Sequence, residues 1–463
     1  MTVSVSLDWE GRTAAEALAE PHPDLRLVPR TGHLGRTEHL GRTGRLGSGD
    51  GALPADLQEH DLVIESDNLP ALHALRRTHA HAVKVVYIDP PYNTGNVLPY
   101  RDTFGASGHA GWMSMMLPRL RLTADLLRPD GVVFVQVDDR ESGHMVLLGN
   151  EVFGEENYLG ALVHQRAKGG GQAKRWVRGH DYVHVWAREA ASVGPFLREK
   201  QKPARYATID GQRYLVEDDV LRVSFGKYTR GQERRLMYED VLEARGEAKK
   251  AEIDAGLESG LYRLQPWGDA GKHAVVRLTP AEQASSKMYS IIRALGQEGR
   301  DDLEALGLGG TFGYPKPVSL LRELVRSQTF FDRDAIVLDF FAGSGTTAQA
   351  VHELNALDGG SRRFVLVQQT EELRTVAGAR LGAEGTVSAG TGPAAEAPAP
   401  GTADRTGNGP GQGASGAGTG TGEGTVTIAD LCRTRLERVG ARFLDLTVEE
   451  TTREMSFHGT LVS

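Results

Sequence analysis

Asp89-Pro90-Pro91-Tyr92 follows the apolar run Val85-Val86-Tyr87-Ile88 and leads into Asn93-Thr94-Gly95. These residue types suit the exocyclic amino group of adenine or cytosine. Such a nitrogen is a poor nucleophile, because its lone pair is delocalised into the ring. Hydrogen bonds can pull it toward tetrahedral geometry. The Asp89 carboxylate can accept one N–H and the Pro90 carbonyl the other, and proline fixes φ so that the carbonyl is aimed with little freedom. Pro91 stiffens the same turn, and Tyr92 offers a flat face on which a base can stack. A base reaches such a turn only by leaving the duplex, which takes a few kcal/mol that stacking and hydrogen bonds must offset.

A second strand-to-turn junction lies far downstream. Ile336-Val337-Leu338-Asp339 runs into Phe340-Phe341-Ala342-Gly343-Ser344-Gly345, and Thr346-Thr347-Ala348-Gln349 reads as a helix start. Glycines let a ligand approach the backbone, and a helix N-terminus favours a carboxylate such as that of a methionine moiety. Ala348 stands where a dinucleotide fingerprint wants its third glycine, so a Rossmann dehydrogenase is disfavoured. No Gly-Lys-Ser/Thr supports nucleotide hydrolysis. The two turns together point to methyl transfer onto a base amino group.

In this order the two turns resemble the beta-class amino methyltransferases, and more closely the modification (Mod) subunits of type III restriction systems. The likeness extends through Ile64-Glu65-Ser66-Asp67-Asn68-Leu69, residues 112–127, Gly131 through Asp139, Val152-Phe153-Gly154-Glu155-Glu156-Asn157 and Phe312-Gly313-Tyr314-Pro315-Lys316-Pro317. Leu7-Asp8-Trp9-Glu10-Gly11 is similar to the family's N-terminal arm. The resemblance covers residues 60–190 and 285–370. It implies an adenine-specific DNA methyltransferase with S-adenosylmethionine as cofactor. The expected fold is a doubly wound, Rossmann-like α/β sheet. Asp89, Pro90, Pro91 and Tyr92 would form the catalytic turn. Asp339, Phe341, Gly343, Gly345, Thr346 and Thr347 would line the cofactor, with Lys316 and Pro317 closing its pocket. Gln368 stands where many beta-class enzymes carry an acid for the ribose hydroxyls, and would serve through its amide. Asp in the catalytic motif favours adenine N6, and Ser there more often marks cytosine N4; the chemistry permits both. The rival from another class is a catalytically silent DNA-binding subunit, which nothing among the intact turn residues favours.

A formal net charge of −8 is awkward for a protein on duplex DNA, but it describes the whole chain and not a groove. Residues 164–180 hold five Lys/Arg, one Trp and no acid. In this glycine-rich loop Lys168, Lys174, Arg175 and Arg178 can follow a phosphate backbone, and Trp176 can stack or wedge. A homodimer and a helicase/nuclease restriction subunit stand as candidate partners; no helicase or nuclease motif occurs in the chain. The single cysteine, Cys432, excludes an internal disulfide framework and a Cys-based zinc site, and no metal is assigned. No run of ~18 apolar residues suggests a membrane span, so the chain reads as soluble and cytoplasmic.

These chemistries need elements to hold them, and 463 residues with 40% hydrophobic content allow several domains. Residues 1–58 read as an arm with a six-residue Gly/Arg repeat over 31–48, a mobile linker. Residues 59–189 alternate strands and helices and form the catalytic half of the methyltransferase domain. A helix is expected over 113–127, with strands over 83–89, 132–137, 159–165 and 182–187. Residues 190–285 are charged, lack buried-strand runs and correspond to the family's target-recognition insert, with an exposed helix over 239–253. Residues 286–382 form the cofactor half. Residues 383–425, almost all Gly, Ala, Thr, Ser and Pro, cannot bury enough surface to order and read as a disordered insertion. Residues 426–463 supply a final helix and a strand over 442–446 that completes the sheet.

Overall fold

Val83, Val85, Val86 and Ile88 leave almost no polar face, and a strand of that kind needs cover on both sides, as in a parallel sheet between helices. The computed structural model has this layout. It describes residues 7–22, 24–30, 53–95, 102, 104, 107–169, 176–200, 205–209, 211–218, 220–223, 235–268, 271–373, 379–381, 387–389 and 426–450. Along the chain come α1 (Arg12–Ala17), β1 (Leu25–Pro29), β2 (Leu62–Glu65), α2 (Asn68–Thr78), β3 (Val83–Ile88) and α3 (Gly108–Leu126). Then follow β4 (Leu127–Val137), α4 (Ser142–Phe153), β5 (Tyr158–Gln165) and β6 (His180–Ala187). Next are β7 (Leu197–Glu199), β8 (Arg205–Ile209), β9 (Gln212–Glu217), α5 (Val241–Glu258), β10 (Tyr262–Trp267), β11 (Lys272–Pro280) and β12 (Ser285–Lys287). The remainder is β13 (Ile291–Arg293), α6 (Gly296–Ala305), α7 (Val318–Thr329), β14 (Ile336–Asp339), α8 (Thr346–Asp358), β15 (Arg363–Gln368), β16 (Ala379–Leu381), β17 (Val387–Ala389), α9 (Ile428–Arg438) and β18 (Leu444–Glu450).

Ten strands form one sheet in the order β1-β18-β2-β15-β14-β3-β4-β6-β5-β13. Neighbours from β18 to β4 run parallel. β14 lies directly beside β3, with Val337 opposite Val85 and Leu338 opposite Val86. The chain leaves β14 through α8 toward β15 and leaves β3 through α3 toward β4, in opposite directions along the sheet. Strand order therefore reverses between them, and the carboxyl ends of strands at such a switch point are where doubly wound sheets hold ligands. Two turns far apart in sequence thus meet at one edge.

One apolar cluster joins Ile64, Val86, Val133 and Leu338 of the sheet to Leu72 and Leu75 of α2 and Trp112, Met116 and Leu117 of α3. Truncating Leu117 or Leu338 to Ala should destabilise by about 2–5 kcal/mol. Leu320, Leu321 and Leu324 of α7 and Val351 and Leu354 of α8 are buried as well.

Several expectations change. The arm over 1–58 contains β1, which pairs antiparallel with β18 and buries Leu25 and Leu27. β1 covers a strand edge that would otherwise expose unpaired backbone. The hexad repeat lies outside the described residues. So does most of 383–425, apart from Val387–Ala389, which pairs with Ala379–Leu381. The helix expected over 113–127 ends at Leu126, and Leu127-Arg128-Pro129-Asp130-Gly131 already belongs to β4, through a register shift against β3.

Pro195–Met288 forms a second compact unit. It carries a four-stranded antiparallel sheet in the order β10-β11-β9-β8, although its sequence lacks buried-strand runs. Its apolar stretches are short but serve both faces: Val275 packs with Val241 and Ile253, while Val276 packs with Val216 and Leu278. The expected exposed helix is α5, which buries Val241 and Ile253 and breaks at Gly246, where φ is 80°. No helix among the described residues is long and apolar enough to cross a membrane.

Candidate active site

β3 ends at Ile88, so Asp89 emerges at the carboxyl edge of the sheet. Tyr92 curls back and donates its hydroxyl to Asp89 Oδ1 at 2.7 Å. Lys316, two residues before α7 begins, places Nζ 3.0 Å from Asp89 Oδ2 and donates to the Tyr92 oxygen at 3.0 Å. The ammonium also lies 5.1 Å from the centre of the Tyr92 ring. The Asp89 side chain keeps a quarter of its surface open yet is ringed by protein, so burial raises its carboxyl. Lys316 and Tyr92 pull the other way without prevailing. Burial also holds the Tyr92 hydroxyl well above the usual phenol range, so it stays a neutral donor. Lys316, expected at the cofactor, is thus held at the Asp89 carboxylate. Pro317 caps α7, and Val318 N–H donates to Asp302.

The rest of the motif locks this turn. Asn93 adopts φ 57°, a left-handed conformation that asparagine tolerates better than most residues. Its N–H and that of Thr94 each donate to Asp102, at 3.1 Å, and the Thr94 hydroxyl makes a further short bond to the same carboxylate. Asn93 Nδ2 donates to the buried Glu141 at 2.8 Å. Trp112 Nε1 donates to the Pro91 carbonyl at 2.7 Å.

Behind the turn lies a polar network set in apolar strands. Tyr87 donates to Gln136 Oε1 at 2.8 Å, while Gln136 Nε2 lies 3.1 Å from both His164 Nδ1 and Asp181 Oδ2. His164 Nε2 is 2.6 Å from the Ala294 carbonyl, which can only accept. The proton therefore sits on Nε2, and Nδ1 receives Gln136. Burial lowers the imidazole's affinity for a second proton, so His164 is neutral. Asp181 lies 3.5 Å from the Tyr92 hydroxyl and 3.3 Å from Arg166 Nε.

Asp339 closes β14 beside this site. Its Oδ1 accepts from Phe341 N–H at 3.0 Å and its Oδ2 from the Thr347 hydroxyl at 2.5 Å. Burial raises its carboxyl to about 7 against those bonds. Gly343 and Gly345 adopt φ of 52° and 80°. A Cβ on Gly345 would also stand 2.8 Å from Cys432 Sγ, so glycine is required there twice over. Gly345 caps α8 without a side chain, which leaves the first-turn N–H groups open to an anion. Asn68 Nδ2 donates to the Phe340 carbonyl at 2.9 Å and ties the motif at 64–69 to this turn.

Gln368 does not face outward as a ribose ligand would. Its Oε1 accepts from Gly343 N–H at 2.7 Å, and so its amide shapes the glycine turn. Thr346 Oγ1 and Ser344 Oγ accept from Arg435 Nη1 at 2.8 and 2.9 Å, and Gln349 Oε1 accepts from Arg435 Nε at 2.7 Å. Burial lowers this guanidinium to about 10, and Nη2 makes no hydrogen bond.

Of the basic loop, Lys174 and Arg175 lie outside the described residues. Lys168 is exposed, and Trp176 has 72% of its surface open. Arg178 is engaged with acids, 3.4 Å from Asp139 and 3.7 Å from Asp138.

Sequence reasoning missed Gln136, His164, Asp181, Asp102, Glu141 and Arg435. A signal existed for Gln136, a lone amide inside Val132-Val133-Phe134-Val135-Gln136-Val137. None existed for Arg435, since an arginine on an amphipathic helix ordinarily faces water.

A family model described as DNA methylase matches residues 83–376, well over half of the chain. The chain belongs to this DNA methylase family. It is 27% identical to the type III restriction-modification enzyme EcoPI Mod subunit of Escherichia phage P1, over 80% of this chain and 64% of that protein. It is 28% identical to the type II methyltransferase M.KpnI of Klebsiella pneumoniae, over 69% of this chain and 83% of that protein. The StyLTI Mod subunit of Salmonella typhimurium is 30% identical, over 68% of this chain and 53% of that protein. The chain thus spans between half and two thirds of the Mod subunits it matches. Among solved structures, the PvuII DNA methyltransferase (cytosine-N4-specific) aligns with 68% of this chain and 86% of its own, at 12% identity and a TM-score of 0.36. The fold assignment rests on the strand order and not on that likeness.

Proposed function

We propose that the chain transfers a methyl group from S-adenosylmethionine to the N6 amino group of adenine in duplex DNA. The observation that carries this reading is the pairing of β3 with β14, which brings Asp89 and the glycine turn to one edge of the sheet. The residues present suit the cofactor. The uncapped start of α8 suits a carboxylate, the turn at Gly343 and Gly345 admits close approach, and buried Asp339 suits an ammonium. Bound there, the cofactor supplies an electrophilic methyl.

The chain's own residues do the rest. Each Asp89 oxygen already accepts one donor and retains a lone pair for a base N–H. With the Pro90 carbonyl it would pull the amino nitrogen out of conjugation, and catalysis would come mainly from position. As the N–C bond forms, the nitrogen must lose a proton, and Asp89, raised by burial, is placed to take it. Lys316 and Tyr92 orient the carboxylate, and the Tyr87-Gln136-Asp181 network fixes the floor.

Lys168 and Trp176 support contact with the DNA backbone and a splayed base, and Pro195–Met288 is the proposed reader of sequence. The likeness to Mod subunits of restriction-modification enzymes supports a restriction subunit as a partner. Transfer of tritiated methyl from S-adenosylmethionine to a duplex, followed by digestion to nucleosides, tests the reading. Label in N6-methyl-2′-deoxyadenosine is the expected result. Label in N4-methyl-2′-deoxycytidine would favour the cytosine reading, which the aspartate disfavours, and no label would overturn methyl transfer.

A further inference from the structure

Among the described residues, His109, Glu141 and His144 bring one ligand atom each to within 4.8 Å of one another. His109 Nδ1 lies 2.8 Å from Glu141 Oε1, and His144 Nδ1 lies 3.1 Å from Glu141 Oε2. The two imidazoles stack with centroids 4.3 Å apart. Glu141 has no exposed surface, whereas His109 is half exposed and His144 about a third. Glu141 Oε2 and His144 Nδ1 are both buried atoms, yet neither makes a hydrogen bond. Two buried polar atoms that face each other without a shared proton are arranged as ligands of a common third atom.

We propose that His109, Glu141 and His144 bind a divalent transition-metal ion of the zinc type, beside the catalytic turn. Two imidazole nitrogens and a carboxylate are the donor set of open zinc sites, in which solvent takes the fourth position. Bonds of about 2.0–2.2 Å would set neighbouring ligand atoms about 3.3–3.6 Å apart in a tetrahedron, so the 2.8 and 3.1 Å spacings to Glu141 need only open slightly. Magnesium and calcium are disfavoured, because they want six or more oxygens and the site offers one carboxylate. The exposed sides of both histidines give the ion a way in, while Glu141 anchors the site from below.

The site is also wired to the chemistry. Asn93 Nδ2 donates to the same Glu141 Oε1, as an outer partner that orients a metal-bound carboxylate. Asn93 belongs to the turn that carries Asp89 and holds a left-handed φ. A bound ion would therefore fix Glu141, and through it Asn93 and the shape of the turn. The ion would be a clamp on the loop and not a reactant. The triad is hidden in the sequence because His109 lies 32 positions from Glu141, and the Glu141/His144 pair alone is too short a pattern to signal a metal.

The test uses the full chain, free of any histidine tag, stripped with a chelator and dialysed. Calorimetric titration with Zn²⁺ alone, and visible absorption on adding Co²⁺ alone, should each show one equivalent bound per chain. The double variant His109→Asn/His144→Asn should lose that equivalent while its circular dichroism is unchanged, and Asn93→Ala should bind about 10-fold more weakly. Absence of a stoichiometric site in the wild-type chain would overturn the proposal, whatever the variants do. So would a double variant that binds Zn²⁺ as tightly as the wild type.

Discussion

Lys316→Gln would remove the cation from the Asp89 carboxylate and leave a side chain long enough to fill the space. With Nζ 3.0 Å from Asp89 Oδ2, an effective dielectric of about 20 gives a Coulomb term of about 5 kcal/mol, a ceiling near 4 pKa units. The two side chains are 19% and 25% exposed, and solvent screens part of that. An upward shift of about 1–3 units is expected. The sign follows from the site: burial already raises the Asp89 carboxyl, Lys316 opposes it, and losing the opposition raises it further. Only the ionised carboxylate can accept from Tyr92 and the base together. The acid limb of the rate profile should therefore move to higher pH by the same 1–3 units, with much of the rate recovered in alkali. The assay is the initial rate of methyl transfer to a duplex across roughly pH 5–10 at saturating cofactor. An unmoved acid limb, with a raised KM for cofactor, would refute the reasoning and return Lys316 to the cofactor pocket.

Asp89→Ala should lower methyl transfer by roughly 10²–10³-fold while calorimetry finds cofactor affinity unchanged; near-normal turnover would remove Asp89 from the chemistry. Asp339 titrates at about 7 when folded, against about 3.9 unfolded, so the stability it lends at low pH fades as pH rises through 7, by at most about 4 kcal/mol. Asp339→Asn cannot titrate, so its melting temperature should gain on the wild type between about pH 4 and 7, and a constant difference would contradict the raised carboxyl. Arg435→Met should cost about 1–3 kcal/mol in urea unfolding, because Ser344, Thr346 and Gln349 each lose a buried donor; a change within error would show that the guanidinium is not needed there. Replacing Lys168 by Ala should flatten the salt dependence of DNA binding by about one unit, and Arg178→Ala by less, because Asp139 already neutralises it. A switch in the sequence methylated would instead make this loop a base reader.

What the sequence disclosed follows from how local each signal is. The turn at Asp89 and the turn at Gly343 announce themselves through adjacent residue types, and the strands ahead of them are unbroken apolar runs. Their meeting could be expected from the winding rule alone, and β3 does pair with β14. Roles set by long-range contact were hidden. Lys316 reads equally well as a cofactor residue or a carboxylate partner until the fold places it on Asp89. Gln368 looks like a ribose ligand by position, yet the backbone of Gly343 claims its amide. Arg435 and Glu141 are charges that composition assigns to solvent, and only the packing of α9 and α4 turns them inward. The sheet of the second unit was obscured for another reason, since its strands carry only short apolar stretches such as Leu215-Val216 and Val275-Val276 among charged residues.

The pairing of β3 with β14 also governs the order in which the molecule can be made. β4 follows β3 closely along the chain, but the strand that covers the other edge of β3 begins at Ile336, roughly 250 residues after Val83. At 5–20 residues per second a ribosome needs about 12–50 s to deliver it. Through that interval the nascent chain carries a half-built sheet whose open edge is Val83, Val85 and Val86, an invitation to pair with the wrong strand. Nascent chains arrested before Ile336 are expected to hold chaperones, and chains arrested beyond Gln368 to release them. The same adjacency that joins the two halves of the site makes each half wait for the other.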